Sequence, residues 1–597
     1  MNEIMRRTEQ LRAQMKAHGV DAYIVPTSDF HETEYVCDYF KARAYMSGFT
    51  GSAGTCVFTA KEGKLWTDGR YFIQAAKQLE GSGIELMRMG DEGVPTIEEY
   101  LLDALPEHAV LGFDGRVMNT AMVEKLESVL QARGAKISCD MDLVGEIWTT
   151  RPAFPATQTF ELDVKYTGKS AGEKLAEVRK AMQAEGADTH IITRVDDIAW
   201  LLNMRADDVP CFPVALCYAI IYADDAVLYI HADRLSDDLK QTFAQIGVRT
   251  ADYDAIYEDV KHIRAGSRVL LDKANTNYRI VSSLPQGVEV ISRPNPIVLM
   301  KAKKPVELEN IRRCHIRDAV AMTRFMYWLK TNVGKMKITE ISASDQLLAF
   351  RQEQELFIEP SFDTIAAYQD HAAMMHYSAN EESDVELKPE GVLLVDSGGQ
   401  YYEGTTDITR TFVLGPISAE CRLHFTTALR SMIRLAQARF LYGCRGMNLD
   451  ILARGPLWDL DLDYKCGTGH GIGHVLNVHE APNGFRWRIV PERNDSCVLE
   501  EGMVQSDEPG VYLEGEYGIR HENETVVRKG EKNEYGQFMY LETITFVPID
   551  LDGVDPDVLT QYERKWLNEY HQAVYDKVSP YLNDEEKAWL KHATRAI

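Results

Sequence analysis

The stretch VLLVDSGGQYYEGTTDITRTFVLG, residues 392–415, decides how the chain is read. The apolar run Val392–Val395 has the pattern of a buried strand, and it ends on Asp396. Beyond a glycine-rich connection, Asp407, Thr409 and Thr411 fall on one face of a second strand. The connecting SGGQYYEGT carries the glycines of a bulged hairpin. Antiparallel neighbours facing one way bring side chains to about 5 Å. Two carboxylates that close repel each other, so one is protonated or a cation lies between them.

Further acids and histidines follow in glycine-rich settings. GTGHGIGHVLNVHEAP, residues 467–482, carries His470, His474 and His479. QSDEPGVYLEGEYGIRHENE, residues 505–524, carries Glu508 near a turn and Glu522 at a strand end. Arg520 and Glu522 share one strand face, and His521 points the other way. If Asp396, Asp407, Glu508 and Glu522 converge with one neutral histidine, the site holds four negative charges. One divalent cation leaves it two short, and two neutralise it. Oxygen ligands with one imidazole suit Mn²⁺, with Fe²⁺, Co²⁺ or Zn²⁺ as alternatives. A carboxylate-bridged pair of metals can hold a hydroxide between them and serve hydrolysis. Each piece has a plainer reading: a strand Asp as a turn or edge residue, a lone His as a hydrogen-bonded core residue. The glycines at 469, 471 and 473 also argue against a helical His470/His474 metal pair. The ordered set is what points to a metal centre.

Outward from this region, the chain of 597 residues calls for several domains. An excess of 91 acidic over 65 basic residues excludes nucleic acid and anionic membrane as natural partners. The charged N-terminal stretch has no apolar h-region, so no signal peptide is expected. No apolar run reaches transmembrane length. Ten scattered cysteines without a CxxC pair read as reduced thiols, hence a cytoplasmic setting.

Residues 2–18 read as an amphipathic helix stopped at Gly19, followed by a buried strand. The pattern returns: LRAQMKAHGVDAYIV (11–25) aligns without gaps to VRKAMQAEGADTHII (178–192). Arg12 matches Arg179, Met15 matches Met182, Gly19 matches Gly186, Asp21 matches Asp188 and Ile24 matches Ile191. Two related α/β domains in tandem are expected. Proline-punctuated breaks near 149–158 and 292–305 divide the chain. The domains are set at 1–155, 156–303, 304–530 and a helical extension at 531–597. In that extension Tyr562, Trp566, Tyr570, Val574 and Val578 recur every four residues, a stripe for core or subunit contact.

The order DSGGxxxxxTxDxTRT, GTGHGxGxxLNVHE, DEPGxY and GIRxEN resembles the "pita-bread" metallopeptidases of family M24, specifically the three-domain aminopeptidase P branch. SGFTGSAGT, WTDGRYF, DDIAWLLNMR and LETITFVPID extend the resemblance over essentially the whole chain. It implies two creatinase-like α/β domains before a pita-bread catalytic domain. The activity it implies is release of the first residue from peptides with proline second. By the same resemblance, Asp396, Asp407, His470, Glu508 and Glu522 are the ligands of two divalent metals, with Asp407 and Glu522 bridging. His376 and His479 lie beside the scissile bond, Glu508 shuttles a proton, and Arg70 and Arg520 serve substrate or the metal shell. A homodimer through the C-terminal domain is implied as well. His474 and His521 depart from the family pattern without touching a ligand position. The alternatives are an Xaa-Pro dipeptidase and a metal-free peptide-binding module. The duplicated front half and the intact ligand set weigh against them.

Overall fold

The computed structural model describes residues 2–490 and 495–597. Two compact units form. The front unit runs to Asp163 and resumes over Lys169–Val298, and the second comprises Val164–Gly168 with Leu299–Ile597.

The front unit contains the repeat as two six-stranded sheets of one topology. In the first, Ala22–Pro26 pairs antiparallel with Thr55–Thr59 and parallel with Val110–Gly112. In the second, Thr189–Ile192 pairs antiparallel with Tyr218–Tyr222 and parallel with Arg268–Leu271. The matched residues explain the repetition. Gly19 and Gly186 both take the left-handed backbone that ends the preceding helix, at φ 68° and 70°. Asp21 closes a two-way bond with the Val110 backbone, and Asp188 does the same with Arg268. Arg12 donates Nε to the Thr59 carbonyl at 3.0 Å, and Arg179 donates to Tyr222 at 3.1 Å. The matched arginine and aspartate tie the helix and the turn after it to the two strands that flank the first strand of each sheet, so three of the six identities in fifteen residues preserve one joint.

The second unit opens with the helix Pro305–Asn332, whose proline occupies the first turn, where a missing N–H costs nothing. Val392–Ser397 is the central strand of a three-stranded sheet between Ile365–Tyr368 and Ile408–Val413. Its ladder with Ile408–Val413 runs from Val392↔Val413 to Ser397↔Ile408. Asp396 therefore stands opposite Thr409, and Asp407 lies just past the ladder's end. The connection between them is not the expected bulged hairpin tip. Gly399–Tyr401 and Gly404–Thr405 form a second small hairpin that adds to Phe357–Pro360. The switch requires Gly398, where a Cβ would fall 1.8 Å from the Thr406 carbonyl. A six-stranded sheet, in the order 439–441, 536–543, 523–533, 504–507, 469–471, 480–485, carries the remaining motifs.

The helix Gln561–Val578 turns its stripe inward: Tyr570, Val574 and Val578 join the core of this unit, and Trp566 stacks on Tyr570. Tyr570 also meets a buried arginine. The Arg410 guanidinium donates to the carbonyls of Val547 and Pro548, to Asn523 Oδ1 and to the Tyr570 hydroxyl. That hydroxyl also accepts the Val547 N–H at 3.2 Å. Tyr570→Phe should lower stability by about 1–3 kcal/mol, the cost of leaving buried donors unpaired, read as a lower urea midpoint with unchanged slope.

Candidate metal centre

Five elements deliver the side chains. Asp396 ends the strand Val392–Ser397, and its Oδ2 takes a charge-assisted bond from Arg520 Nη2 at 2.5 Å. Glu508 follows the strand Val504–Asp507, its N–H bound to the Thr468 carbonyl at 2.8 Å. Glu522 sits between Tyr517–Arg520 and Asn523–Asn533, where Oε2 accepts the Thr409 hydroxyl at 2.8 Å. Thr409 in turn accepts Arg520 Nε at 3.0 Å. One threonine and one arginine thus link Asp396 to Glu522.

His470 lies on Gly469–Gly471, with Nδ1 3.0 Å from the Gly471 carbonyl. A carbonyl only accepts, so Nδ1 carries the proton and Nε2 presents its lone pair. Nε2 points at Asp407 Oδ2, 3.4 Å away, and at Glu508 Oε1, 3.3 Å away. Asp407, His470 and Glu522 each offer a ligand atom, all within 4.8 Å of one another. Ligand atoms held about 2.0–2.2 Å from a common cation stand roughly 3 Å apart. Asp396 Oδ1 and Glu522 Oε1 are buried and take no hydrogen bond from the protein. Buried oxygens without donors, beside a lone pair that faces acids, fit divalent cations.

Electrostatics says the same. Burial first, then the charges of Asp396 and Glu508, push Asp407 well above the usual carboxylate range. Burial, then Asp407, Glu508 and Asp396, do this to Glu522, while Arg520 pulls both down. With Arg520 counted, the cluster carries three negative charges rather than four, still more than one divalent cation neutralises.

The His470–His479 loop is tied to the small hairpin that links Asp396 and Asp407. Thr405 Oγ1 accepts the Val475 N–H at 3.0 Å and donates to Gln400 Oε1 at 2.8 Å. Gln400 Nε2 donates to the Leu476 carbonyl at 2.7 Å. The loop returns His479 edge-on to His470, with ring centroids 4.1 Å apart. His376 lies half-buried after the turn Gln369–Ala373, and the neighbouring Met375 carbonyl takes Arg520 Nη2 at 3.5 Å. Arg70 belongs to the front unit, where Asp68 holds its guanidinium through two bonds of 2.8 Å.

The two departures are both buried and turned aside. His474 Nε2 bonds the Tyr166 carbonyl at 3.1 Å. His521 bonds the Phe425 carbonyl at 3.2 Å, and burial pushes it down to about 3, so it stays neutral. Sequence reasoning missed Thr409, Ser506 and Glu524. Ser506 donates to Glu508 Oε1 and accepts the His470 N–H, and Glu524 takes the Asp407 N–H. Alternation places Thr409 on the face of Asp407 without a role, and Glu524 leaves a signal as an acid two residues after Glu522.

Comparison with known proteins agrees with this geometry. Residues 309–529 match the model for metallopeptidase family M24, and 537–597 match the C-terminal region of peptidase M24. Residues 7–143 and 150–307 match two models of the creatinase/prolidase N-terminal domain. Aminopeptidase P2 of Arabidopsis thaliana is 38% identical over 97% of this chain and 86% of its own length. Aminopeptidase P1 of the same plant is 36% identical over 100% and 99%. The chain belongs to metallopeptidase family M24, in its aminopeptidase P branch. A crystal structure of X-prolyl aminopeptidase from Caenorhabditis elegans, described as a cytosolic enzyme with a di-nuclear active site, covers 100% of both chains. Its TM-score is 0.94 at 32% identity. The aminopeptidase P fold here is therefore the two creatinase-type domains and one pita-bread domain expected from the motifs.

The raised carboxylates make a stability prediction. Their folded pKa values lie above the unfolded ones, so the metal-free fold binds more protons than the unfolded chain. Its stability is full below the ordinary carboxylate range and falls as pH rises from there toward the raised values. Thermal melts in EDTA should show Tm dropping as pH rises from about 4. Asp407→Asn should raise the metal-free Tm at neutral pH and should show no Tm gain on adding divalent cations, where the wild type is expected to gain.

Proposed function

We propose that this chain is a dinuclear Xaa-Pro aminopeptidase, releasing the N-terminal residue from peptides with proline second. The carrying observation is a full-length match to aminopeptidase P in a chain whose four carboxylates and His470 gather as described. An X–Pro bond has no amide N–H, so proteases that bind that group handle it poorly. Asp396, Asp407, His470, Glu508 and Glu522 would hold two divalent cations, four carboxylates to one imidazole favouring Mn²⁺ over Zn²⁺, Co²⁺ or Fe²⁺. When bound, the cations supply Lewis acidity toward a carbonyl oxygen and make water more acidic.

The chain's own groups do the rest. Glu508, placed by the Ser506 hydroxyl at 3.2 Å, carries a proton toward the leaving proline nitrogen. His479 and His376 lie beside the scissile bond and bind the peptide, one of them helping to stabilise the oxyanion that forms on its carbonyl. Arg520 keeps Asp396 ionised and directed, and also serves the substrate. Arg70 joins the substrate-binding set on family resemblance. The excess of acid, 26 net negative charges, suits a substrate that presents a free α-amine.

A cytoplasmic homodimer completes the reading. The worm relative is described as cytosolic, and the ten cysteines here are free. No helix among the described residues is long and apolar enough to cross a membrane. Of the tail stripe read as core or subunit contact, Tyr570, Val574 and Val578 are buried in the core and Tyr562 is 67% exposed. Several of the exposed apolar side chains among the described residues cluster on Gly446–Trp458, where Ile451 is 49% and Trp458 41% exposed, with Trp487 beside them at 47%. That face is the better candidate for the subunit contact.

Mn²⁺-loaded protein should release the first residue from an Xaa-Pro-peptide much faster than it splits an Xaa-Pro dipeptide. Asp396→Asn should abolish release, and His479→Ala should cost about 10²–10³ in kcat. No release by metal-loaded wild type would sink the proposal. Ile451→Glu with Trp487→Glu should convert a sedimenting dimer of the 67.6 kDa chain into a monomer.

A further inference from the structure

Asp407 lies one residue beyond a strand ladder that ends at Ser397↔Ile408, so no strand partner takes its N–H. Glu524 does, accepting it on Oε1 at 2.6 Å. Glu524 is fully buried, and its own backbone is fixed from both sides. Its N–H donates to the Thr545 hydroxyl at 2.8 Å, and its carbonyl accepts the Ile544 N–H at 3.0 Å. The second carboxylate oxygen lies 3.1 Å from Nε2 of His315. His315 comes from the helix Pro305–Asn332 and is itself pinned, its Nδ1 donating to the Ile311 carbonyl at 2.8 Å. The long helix therefore reaches the Asp407 backbone through two buried side chains.

A fifth acid beside four others adds repulsion, which the mechanism does not need. What it adds is direction. A side chain that leaves the end of a ladder has a loosely set Cβ vector, whereas a metal ligand must be held within about 0.5 Å. We propose that Glu524, held in place by His315, is a positioning residue that sets the direction in which the Asp407 carboxylate meets a divalent cation. This rests on the reading of Asp407 as a metal ligand.

Two variants separate reach from charge. Glu524→Gln keeps an acceptor oxygen at the same reach and turns its NH₂ toward Nε2 of His315. Glu524→Asp keeps the charge and withdraws the oxygen by one methylene. The readouts are Mn²⁺ affinity by calorimetry on the metal-free full chain and hydrogen exchange in peptides spanning 405–409. Glu524→Asp should weaken Mn²⁺ binding about tenfold or more and speed exchange at Asp407, and Glu524→Gln should stay within about threefold on both. Wild-type behaviour of Glu524→Asp, or equal loss in both variants, overturns the proposal, the latter because charge and not reach would be the cause. Asp407→Asn is the control. If it binds Mn²⁺ like the wild type, the ligand reading fails and the proposal falls with it. If it loses Mn²⁺ while Glu524→Asp does not, the positioning role alone fails.

Discussion

Three buried carboxylates and a half-buried fourth, Glu508, are gathered in one place, and their mutual repulsion is the constraint around which the second unit is built. A fold assembled from such a cluster is unstable unless cations reach it. The surroundings limit that cost without removing it. Arg520 faces Asp396, Thr409 shares its hydroxyl between Arg520 and Glu522, and the His470 tautomer is set by a backbone carbonyl. Each partner satisfies one side of a carboxylate or imidazole and leaves the other side toward the centre. The protein fixes angles and leaves charge for the metals to balance.

The geometry is distributed over distant elements, and short polar side chains join them. Gln400 and Thr405 belong to the small hairpin between the two aspartates, yet they hold the loop that runs from His470 to His479. The spacing of the acidic pair and the pose of the histidine pair are thus fixed by one piece of chain. A change in that hairpin would be felt at both, with no ligand altered.

The site's chemistry was legible because acids and histidines stood in apolar or glycine-rich runs, where such residues are costly without a use. The repeat was legible because Gly19/Gly186, Asp21/Asp188 and Arg12/Arg179 each do one job at one joint. Connections between elements were hidden. Alternation predicts which face Asp407 occupies, but not that Asp396 stands opposite Thr409 or that the linking residues join a third strand. Glu524 reads as one more acid until its backbone partner is seen. The tail stripe reads equally as core or contact, because periodicity records an apolar face and not what covers it.

One consequence follows from the short helix Val164–Thr167. It folds with the second unit, where Asn310 bonds the Lys165 and Tyr166 carbonyls and His474 bonds the latter. The polypeptide therefore passes between the units three times, after Asp163, Gly168 and Val298. No single cut separates them cleanly. A truncation beginning at Leu299 would strip the catalytic half of a five-residue brace whose Tyr166 carbonyl holds His474, four positions from the proposed ligand His470. The half that carries the chemistry is, in sequence terms, not a contiguous module.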